Sequence, residues 1–255
     1  MSTLYMGASE ETVAKYVLFS GDPWRVEVVK KYLDNPKKVA FMREFNTYTG
    51  TYKGVEITVT STGIGAPSAA IAMEEMYESG MQVAVRMGTV MSMQDDMLGH
   101  FMIPIAAMRR EGTSQSYVDL SYPAVADVEL VNVMNETVQQ MGKRYLNGLN
   151  CTMDGFYRCM HDSKFSLECG RDMSKTFEEV KKLGVTAIDM ESSCILTLGR
   201  LMGVKTCILT VVTVLENLKE TLKGQDRVDA EDLLCRIALE GIYNYHIKRE
   251  DGKNE

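Results

Sequence analysis

Hydrophobic positions in this chain follow two spacings that alternate from one segment to the next. Short unbroken apolar runs fit buried strands, whereas apolar residues three and four positions apart fit helices that bury one face. The run 16–20 predicts the first strand, and Asp22 as N-cap followed by Pro23 predicts a helix that ends near Leu33. This alternation predicts a layered α/β fold.

Later segments repeat the alternation almost to the end of the chain. Strands are predicted over 37–51, 55–61, 82–86, 101–108, 185–189 and 204–214. Helices are predicted after Gly65 and over 128–141, 175–183, 191–202 and about 229–245. Small or flexible residues share one face of the helix after Gly65, so that this helix can lie close to a sheet: Ala69, Ala72, Met73 and Met76.

Length and composition favour one domain with a single large core. The chain has 255 residues, is 45% hydrophobic and contains no linker rich in Pro, Gly or Ser, so one domain over 1–255 is expected. Its net charge of −7 and scattered basic residues argue against a nucleic-acid surface. The first residues lack the pattern of a signal peptide, and no apolar run reaches roughly 18 residues. We therefore expect a cytoplasmic protein with no membrane partner.

Cysteine and histidine usage gives little support to a metal site. The six cysteines form no CxxC pair, and the three histidines are not at ligand spacing. Free thiols in a reducing compartment, and no metal, are therefore expected.

Two segments combine the features that α/β proteins use to bind an anion. Ser20-Gly-Asp-Pro-Trp-Arg25 follows the first strand, and Val85-Arg-Met-Gly-Thr89 ends a second apolar run. Each places an arginine beside glycine and exposed backbone N–H groups at a strand end. Together they indicate phosphate bound as a reactant. For a single arginine, an ordinary surface or interface ion pair is the alternative interpretation.

Six segments, in order and spacing, resemble the nucleoside phosphorylases, and most closely the uridine phosphorylases. They are Gly21-Asp-Pro-Trp-Arg25, Met42-Arg-Glu-Phe45, Ser61-Thr-Gly-Ile-Gly65, Arg86-Met-Gly-Thr89, Tyr122-Pro-Ala-Val-Ala-Asp127 and Asp189-Met-Glu-Ser192. The resemblance covers about 5–245 and implies a three-layer α/β/α subunit with a mixed, partly barrel-like central sheet. It also implies dimers that usually form hexamers, and reversible cleavage of a ribonucleoside by phosphate to a free base and ribose 1-phosphate. No cofactor is implied beyond inorganic phosphate as co-substrate.

The resemblance also implies roles for individual residues. The phosphate site would contain Gly21, Arg25, Arg86 and Thr89, completed by Arg43 from the neighbouring subunit of a homodimer. Arg86 and Glu191 would be the catalytic residues, with Glu191 accepting hydrogen bonds from the ribose hydroxyls and Met190 packing on the sugar. Tyr5 stands where many relatives have a histidine that reaches the ribose 5′-hydroxyl. An acid at a helix N-terminus is the alternative interpretation of Glu191.

The base pocket departs from the family pattern. Val90-Met91 replaces a Thr-Gly or Cys-Gly pair, and Met160 and Asp162 stand where a glutamine and an arginine bind uracil. Thr213 stands where purine phosphorylases of this fold have an aspartate. The resemblance therefore implies an apolar base pocket, formed by Val90, Met91, Phe156, Tyr157 and Met160.

These departures leave three functions open. The first is an active phosphorylase with an altered base pocket, the second is an impaired relative that binds phosphate or nucleoside without turnover, and the third is a structural or storage protein. Clustered arginines without an anion would repel one another, which favours a ligand-binding role. A polar loop over 219–227 is expected to close over the base, with Gln225 or Arg227 as candidate donors.

Overall fold

The computed structural model describes residues 2–218 and 220–251, and within them it forms twelve strands and nine helices. The strands are β1 (Tyr16–Ser20), β2 (Asp34–Met42), β3 (Phe45–Tyr52), β4 (Val55–Ser61), β5 (Val83–Ser92), β6 (Phe101–Met102), β7 (Ala106–Arg110), β8 (Ala124–Val125), β9 (Tyr145–Leu146), β10 (Leu149–Met153), β11 (Val185–Asp189) and β12 (Lys205–Leu215). The helices are α1 (Pro23–Lys30), α2 (Ala66–Glu78), α3 (Thr113–Tyr117), α4 (Val128–Gln140), α5 (Phe156–Cys159), α6 (Lys164–Glu168), α7 (Ser174–Lys182), α8 (Ser192–Met202) and α9 (Gly224–Asp251).

The twelve strands form one mixed sheet in which β5 is the central strand. The main path of the sheet is β2-β3-β4-β1-β5-β11-β10-β7-β8. β12 pairs with β5 along its whole length, so β1 and β11 share the opposite edge of β5. β6 and β7 follow each other in the chain; β6 pairs with β9, and β7 pairs with β10. β6 also pairs with β12. The strands β5, β11, β10 and β12 therefore belong to a closed ring of strands, which is the expected barrel-like part of the sheet.

The helices cover the sheet on two sides. One group consists of α9 with α1 and α4, which both pack on it, and the other consists of α2, α3 and α8. β12 contacts both α8 and α9, so the sheet lies between the two groups. The structure thus confirms the expected α/β/α arrangement with a mixed sheet.

Local signals set the start of α1, which carries one of the candidate arginines. The Asp22 carboxylate accepts a hydrogen bond from the Trp24 backbone N–H at 2.9 Å, and Pro23 occupies the first turn, where its missing N–H has no cost. Arg25 therefore lies in the first turn, directly after the carboxyl end of β1. The prediction of this strand and of the start of this helix is confirmed.

Three predicted elements were wrong in extent. The single strand over 37–51 is a hairpin, because a two-residue turn at Arg43 and Glu44 reverses the chain between Met42 and Phe45. The single strand over 101–108 is two short strands, with Pro104, which has no N–H to donate, between them. The last helix begins at Gly224, so the expected loop at Gln225 is helical.

Candidate active site

The carboxyl ends of three parallel strands meet at one edge of the sheet. β1 lies between β4 and β5, with Ser20 in register with Ser61 on one side and with Met87 on the other. β11 runs antiparallel to β5 and pairs Ile188 with Met91, so the residues after β11 return towards the same edge. Loops after strand ends at such an edge commonly form ligand sites in α/β proteins.

Arg86 lies in β5, and its side chain is buried at this edge. Its Nη2 donates a hydrogen bond to Oε2 of Glu191, and its Nη1 lies 3.9 Å from Oδ2 of Asp189. Gly88 makes room for the guanidinium, since a Cβ there would collide with Nη1. Among the residues that the structure describes, Nε and Nη1 of Arg86 have no hydrogen-bond acceptor. Arg86 is therefore a buried cation with unused donors.

Glu191 immediately precedes α8, and its side chain is also buried. The carboxylate does not cap its own helix: Oε1 accepts the Gly65 backbone N–H at 2.7 Å, and Oε2 accepts from Arg86. Burial raises the pKa of Glu191, the charge of Arg86 opposes this rise, and the charge of Asp189 adds to it. The side chain thus links α8 to the β4–α2 loop and to β5, which the interpretation as a helix N-terminal acid does not explain.

Arg25 is the second buried arginine near these strand ends. Nη1 donates to Ser20 Oγ at 3.1 Å, and Nη2 donates to Glu231 Oε2 of α9 at 2.8 Å. Nε has no acceptor in the described part of the chain. Both arginines are in ion pairs, as the alternative interpretation predicts, but both also retain unsatisfied donors. We call Arg25, Arg86, Glu191 and Gly65 the charged cluster.

Gly21 and Thr89, the other expected phosphate ligands, are half-buried at the same edge. Gly21 follows the last residue of β1, and a Cβ at that position would be 3.4 Å from the Gly63 carbonyl oxygen. Thr89 follows Gly88 in β5 and is in register with Val211 of β12. Both residues therefore belong to the strand ends and loops that carry the two arginines.

Arg43 and Tyr5 form a separate pair. Arg43 is exposed at the tip of the β2–β3 hairpin, and its guanidinium lies 5.3 Å from the centre of the Tyr5 ring. In the described residues of one subunit, neither side chain makes a hydrogen bond or ion pair with Arg25, Arg86 or Glu191.

Three of the expected base-pocket residues, Met91, Met160 and Phe156, belong to a second, apolar cluster or pack against it. Met91 and Met160 lie in it together with Met93, Met153, Met173 and Cys151, and Phe156 and Met190 pack against it. We call this group the thioether cluster. Tyr157 is 60% exposed at its edge, with its ring 5.1 Å from that of Phe156.

The structure places Val90 in a different apolar cluster from Met91. Successive side chains of a strand point to opposite faces, so Val90 faces away from Met91. It packs instead with Met102, Ala187 and Val212, from strands of the closed ring.

The structure places two polar residues that the sequence did not single out, Asp189 and His161, beside the charged cluster and the thioether cluster respectively. Asp189 accepts hydrogen bonds from Thr152 Oγ1 at 2.9 Å and from Ser192, and so fixes the chain just before Glu191. Its place in the Asp189-Met-Glu-Ser192 segment was the available signal. His161 lies beside the base-pocket rings, 5.8 Å from that of Phe156.

The structure gives partners to the two donors that were expected from the segment 219–227. Lys219 lies outside the described residues. In α9, Gln225 Nε2 donates to Asp229 Oδ1 at 2.7 Å, and Arg227 Nε donates to Glu231 Oε1 at 2.8 Å. Both expected donors are therefore engaged along their own helix.

Other features of the chain lie away from the charged cluster. A cavity of about 430 Å³ lies at the opposite edge of the sheet, beside Lys15, Val83 and Lys205, and neither Arg86 nor Glu191 lines it. Over 2–218 and 220–251 there is no group of His, Cys, Asp and Glu able to hold a metal ion. Within the same ranges, no helix has the length and apolar character needed to span a membrane.

Comparison with known proteins identifies relatives over most of the chain. The family model described as phosphorylase superfamily matches residues 15–240. A uridine phosphorylase from Thermococcus kodakarensis is 38% identical over 201 residues, which are 78% of this chain and 73% of that protein. The matched residues of the family model include Arg25, Arg86 and Glu191, whereas Tyr5 lies outside them.

Solved structures give the same result. The crystal structure of uridine phosphorylase from Vibrio fischeri is 29% identical, with a TM-score of 0.81, and the match covers 94% of this chain and 96% of that one. The crystal structure of purine nucleoside phosphorylase from Toxoplasma gondii in complex with immucillin-H is 25% identical, with a TM-score of 0.85, over 98% and 97% of the two chains.

Proposed function

This chain belongs to the phosphorylase superfamily, and we propose that, as a nucleoside phosphorylase, it cleaves a ribonucleoside with inorganic phosphate at the charged cluster. A phosphate oxygen forms a bond to C1′ of the ribose while the glycosidic C–N bond breaks. The electron pair of that bond goes to the base, which takes up a proton and leaves. The other product is ribose 1-phosphate, and the reaction is reversible.

The observation that carries this proposal is the set of unsatisfied donors on two buried arginines. Nε of Arg25 and both Nε and Nη1 of Arg86 have no acceptor in the described residues. Buried charged donors without acceptors are costly, and a phosphate dianion supplies several acceptor oxygens at once. The Gly21 backbone and the Thr89 hydroxyl are proposed to complete the phosphate ligands on this subunit. Phosphate held there is both the nucleophile and a counter-charge for the positive sugar in the transition state.

Glu191 is proposed to bind the ribose. Its Oε1 accepts the Gly65 N–H, and its Oε2 accepts from Nη2 of Arg86. Each carboxylate oxygen can accept a further hydrogen bond, so Glu191 can accept from the vicinal hydroxyls while it stays bonded to Arg86. Met190, the residue before Glu191, would pack on the sugar and connect the charged cluster to the thioether cluster.

The thioether cluster is proposed to hold the base through packing and stacking. Met91, Met160 and Phe156 offer apolar surface, and Tyr157 is positioned at the rim. Such a pocket gives the departing base little hydrogen bonding. Uracil depends least on such contacts because its two carbonyl groups delocalise the charge that it acquires, so uridine is the nucleoside that we expect to be cleaved fastest.

The catalytic unit is proposed to be a homodimer, which could assemble further into hexamers, in a cytoplasmic protein of nucleoside salvage. Arg43 and Tyr5 do not reach the charged cluster of their own subunit, so they are available to a second copy. The surface beside them carries exposed apolar side chains suited to such an interface: Leu4, Phe41, Met42 and Ile64.

The test is phosphate-dependent release of free base from uridine, thymidine, inosine, adenosine and guanosine. Arg86→Ala is the site variant, and Arg144→Ala is the matched control because Arg144 pairs with Asp96 on the surface. Base release by wild type and Arg144→Ala, lost in Arg86→Ala, would support the proposal and name the base. Phosphate binding without any base release would instead support the impaired relative, and neither binding nor release would support a structural protein.

A further inference from the structure

The chain before β1 is attached to α2 by a single buried carboxylate. Oε1 of Glu75 accepts the Tyr5 backbone N–H at 2.8 Å, and Oε2 accepts the Met6 backbone N–H at 2.7 Å. Glu75 is buried, and no Lys or Arg in the described part of the chain forms an ion pair with it. A buried carboxylate needs hydrogen-bond donors to offset its lost hydration, and the Tyr5 and Met6 N–H groups supply two of them.

The Tyr5 ring that this attachment places is in contact with Arg43. The guanidinium lies 5.3 Å from the ring centre, within the range of a cation–π interaction. Arg43 itself is at a hairpin tip with φ of 54°, a backbone conformation that favours glycine or asparagine. An exposed arginine on such a turn has many rotamers of similar energy. Contact with the ring favours the rotamers that keep the guanidinium over it.

We propose that Tyr5 and Glu75 are positioning residues for Arg43: Glu75 fixes the Tyr5 backbone, the Tyr5 ring orients the Arg43 guanidinium, and the pair sets the affinity for phosphate. This rests on the proposed function, in which Arg43 completes the phosphate site of a second copy. It differs from the role that the resemblance implies for Tyr5, a direct hydrogen bond to the ribose 5′-hydroxyl. The phenol ring, and not its hydroxyl, is the part of Tyr5 that acts.

The two roles predict opposite results for a pair of Tyr5 variants. Tyr5→Phe keeps the ring and loses the hydroxyl, whereas Tyr5→Leu loses both. If the ring orients Arg43, Tyr5→Leu weakens phosphate binding by about fivefold and Tyr5→Phe changes it little. If the Tyr5 hydroxyl binds the ribose 5′-hydroxyl, both variants slow the cleavage of uridine. Both variants then cleave 5′-deoxyuridine, which lacks that hydroxyl, as fast as the wild type does.

The measurement is titration calorimetry of inorganic phosphate into the full-length protein, with the KM for phosphate and for uridine measured in parallel. Arg43→Ala and the double variant Tyr5→Leu/Arg43→Ala complete a cycle, in which Tyr5→Leu should add nothing once Arg43 is gone. Glu75→Gln should also weaken phosphate binding, because the new amide NH₂ group would face one of the two backbone N–H donors and could not accept from it. Tyr77→Leu, at the opposite edge of the sheet, is the matched control.

Each outcome decides the proposal. Weaker phosphate binding in Tyr5→Leu, no such loss in Tyr5→Phe, and a non-additive double variant support it. Unchanged phosphate binding in Tyr5→Leu, or full additivity with Arg43→Ala, overturns it while leaving the proposed function intact. A wild-type protein that binds no phosphate overturns both. Circular dichroism and sedimentation of each variant separate these results from loss of fold or assembly.

Discussion

The charged cluster and the thioether cluster lie next to each other but are built in opposite ways. In the first, the buried side chains of Arg86 and Glu191 are hydrogen-bonded to each other, and the Gly65 N–H of the β4–α2 loop donates to Glu191. The second is rich in methionine, with aromatic rings at its edge, and methionine packing places no strict demand on geometry. Under the proposed function, phosphate and ribose would meet fixed partners in this protein, whereas the base would meet adaptable apolar surface.

The largest effect is expected from removing the buried cation of the charged cluster. Arg86→Ala deletes the donors proposed for phosphate and leaves the Glu191 carboxylate buried without its partner. We expect kcat/KM for phosphorolysis to fall by about 100-fold or more, because preorganised donors act most strongly in the transition state. Initial rates at several phosphate concentrations measure this. If Arg86→Ala were as active as Arg144→Ala, phosphate would not bind at Arg86.

Glu191→Gln should have the next largest effect. The amide keeps the size of the side chain but weakens its hydrogen bonds to the ribose hydroxyls, so kcat/KM should fall by about tenfold or more, or about 1.4 kcal/mol. A 2′-deoxynucleoside, which lacks one of the two hydroxyls, should be affected less. Equal losses for the two nucleosides would indicate that Glu191 only supports the fold.

A gain of activity on substitution of Met160 would test the role of the thioether cluster in binding the base. Met160→Gln places an amide in the thioether cluster, at the position where the family has a glutamine that binds uracil. We expect kcat/KM for uridine to rise by about fivefold, the value of one net hydrogen bond, with little change for inosine. Competition between the two nucleosides in one reaction measures the ratio. A parallel change for both would show that residue 160 does not contact the base.

The smallest expected effect concerns stability and pH. Burial raises the pKa of Glu231, but the charges of Arg25 and Arg227 outweigh it, so the pKa of Glu231 is lowered in the folded state. The contribution of Glu231 to the free energy of unfolding is therefore fully present above its unfolded-state pKa of about 4.3. This contribution is lost as pH falls through the lower pKa of the folded state. Glu231→Gln should lower the free energy of unfolding by about 1 kcal/mol near neutral pH, since the pair is partly exposed.

Urea unfolding of wild type and Glu231→Gln across the acid range checks this prediction. The difference between the two proteins should shrink as pH falls below about 4. A difference that stays constant with pH would mean that the Arg25–Glu231 contact contributes through packing and not through charge.

The parts of the fold that the sequence predicts well depend on neighbours in the chain. Asp22 and Pro23 determine the start of α1 through contacts within a few residues, and β1 and β11 begin and end where their apolar runs do. The turn at Arg43 could not be found in this way. Neither Arg43 nor Glu44 is a usual turn residue, and the pairing of β2 with β3 imposes the positive φ.

The site divides in a similar way. Strand-end motifs indicated Arg25, Arg86 and Glu191 individually, but the ion pair between Arg86 and Glu191 joins residues 105 positions apart and depends on β11 returning beside β5. The separation of Val90 from Met91 depends on strand register in the same manner. Family motifs locate residues along a chain, whereas their contacts are set by the sheet.

Phosphorus NMR of the protein with uridine and inorganic phosphate tests most directly whether the charged cluster performs phosphorolysis. We expect a ribose 1-phosphate signal to grow as the phosphate signal falls, and neither signal to change with Arg86→Ala. A spectrum that keeps only inorganic phosphate, with uridine and likewise with inosine, would contradict it.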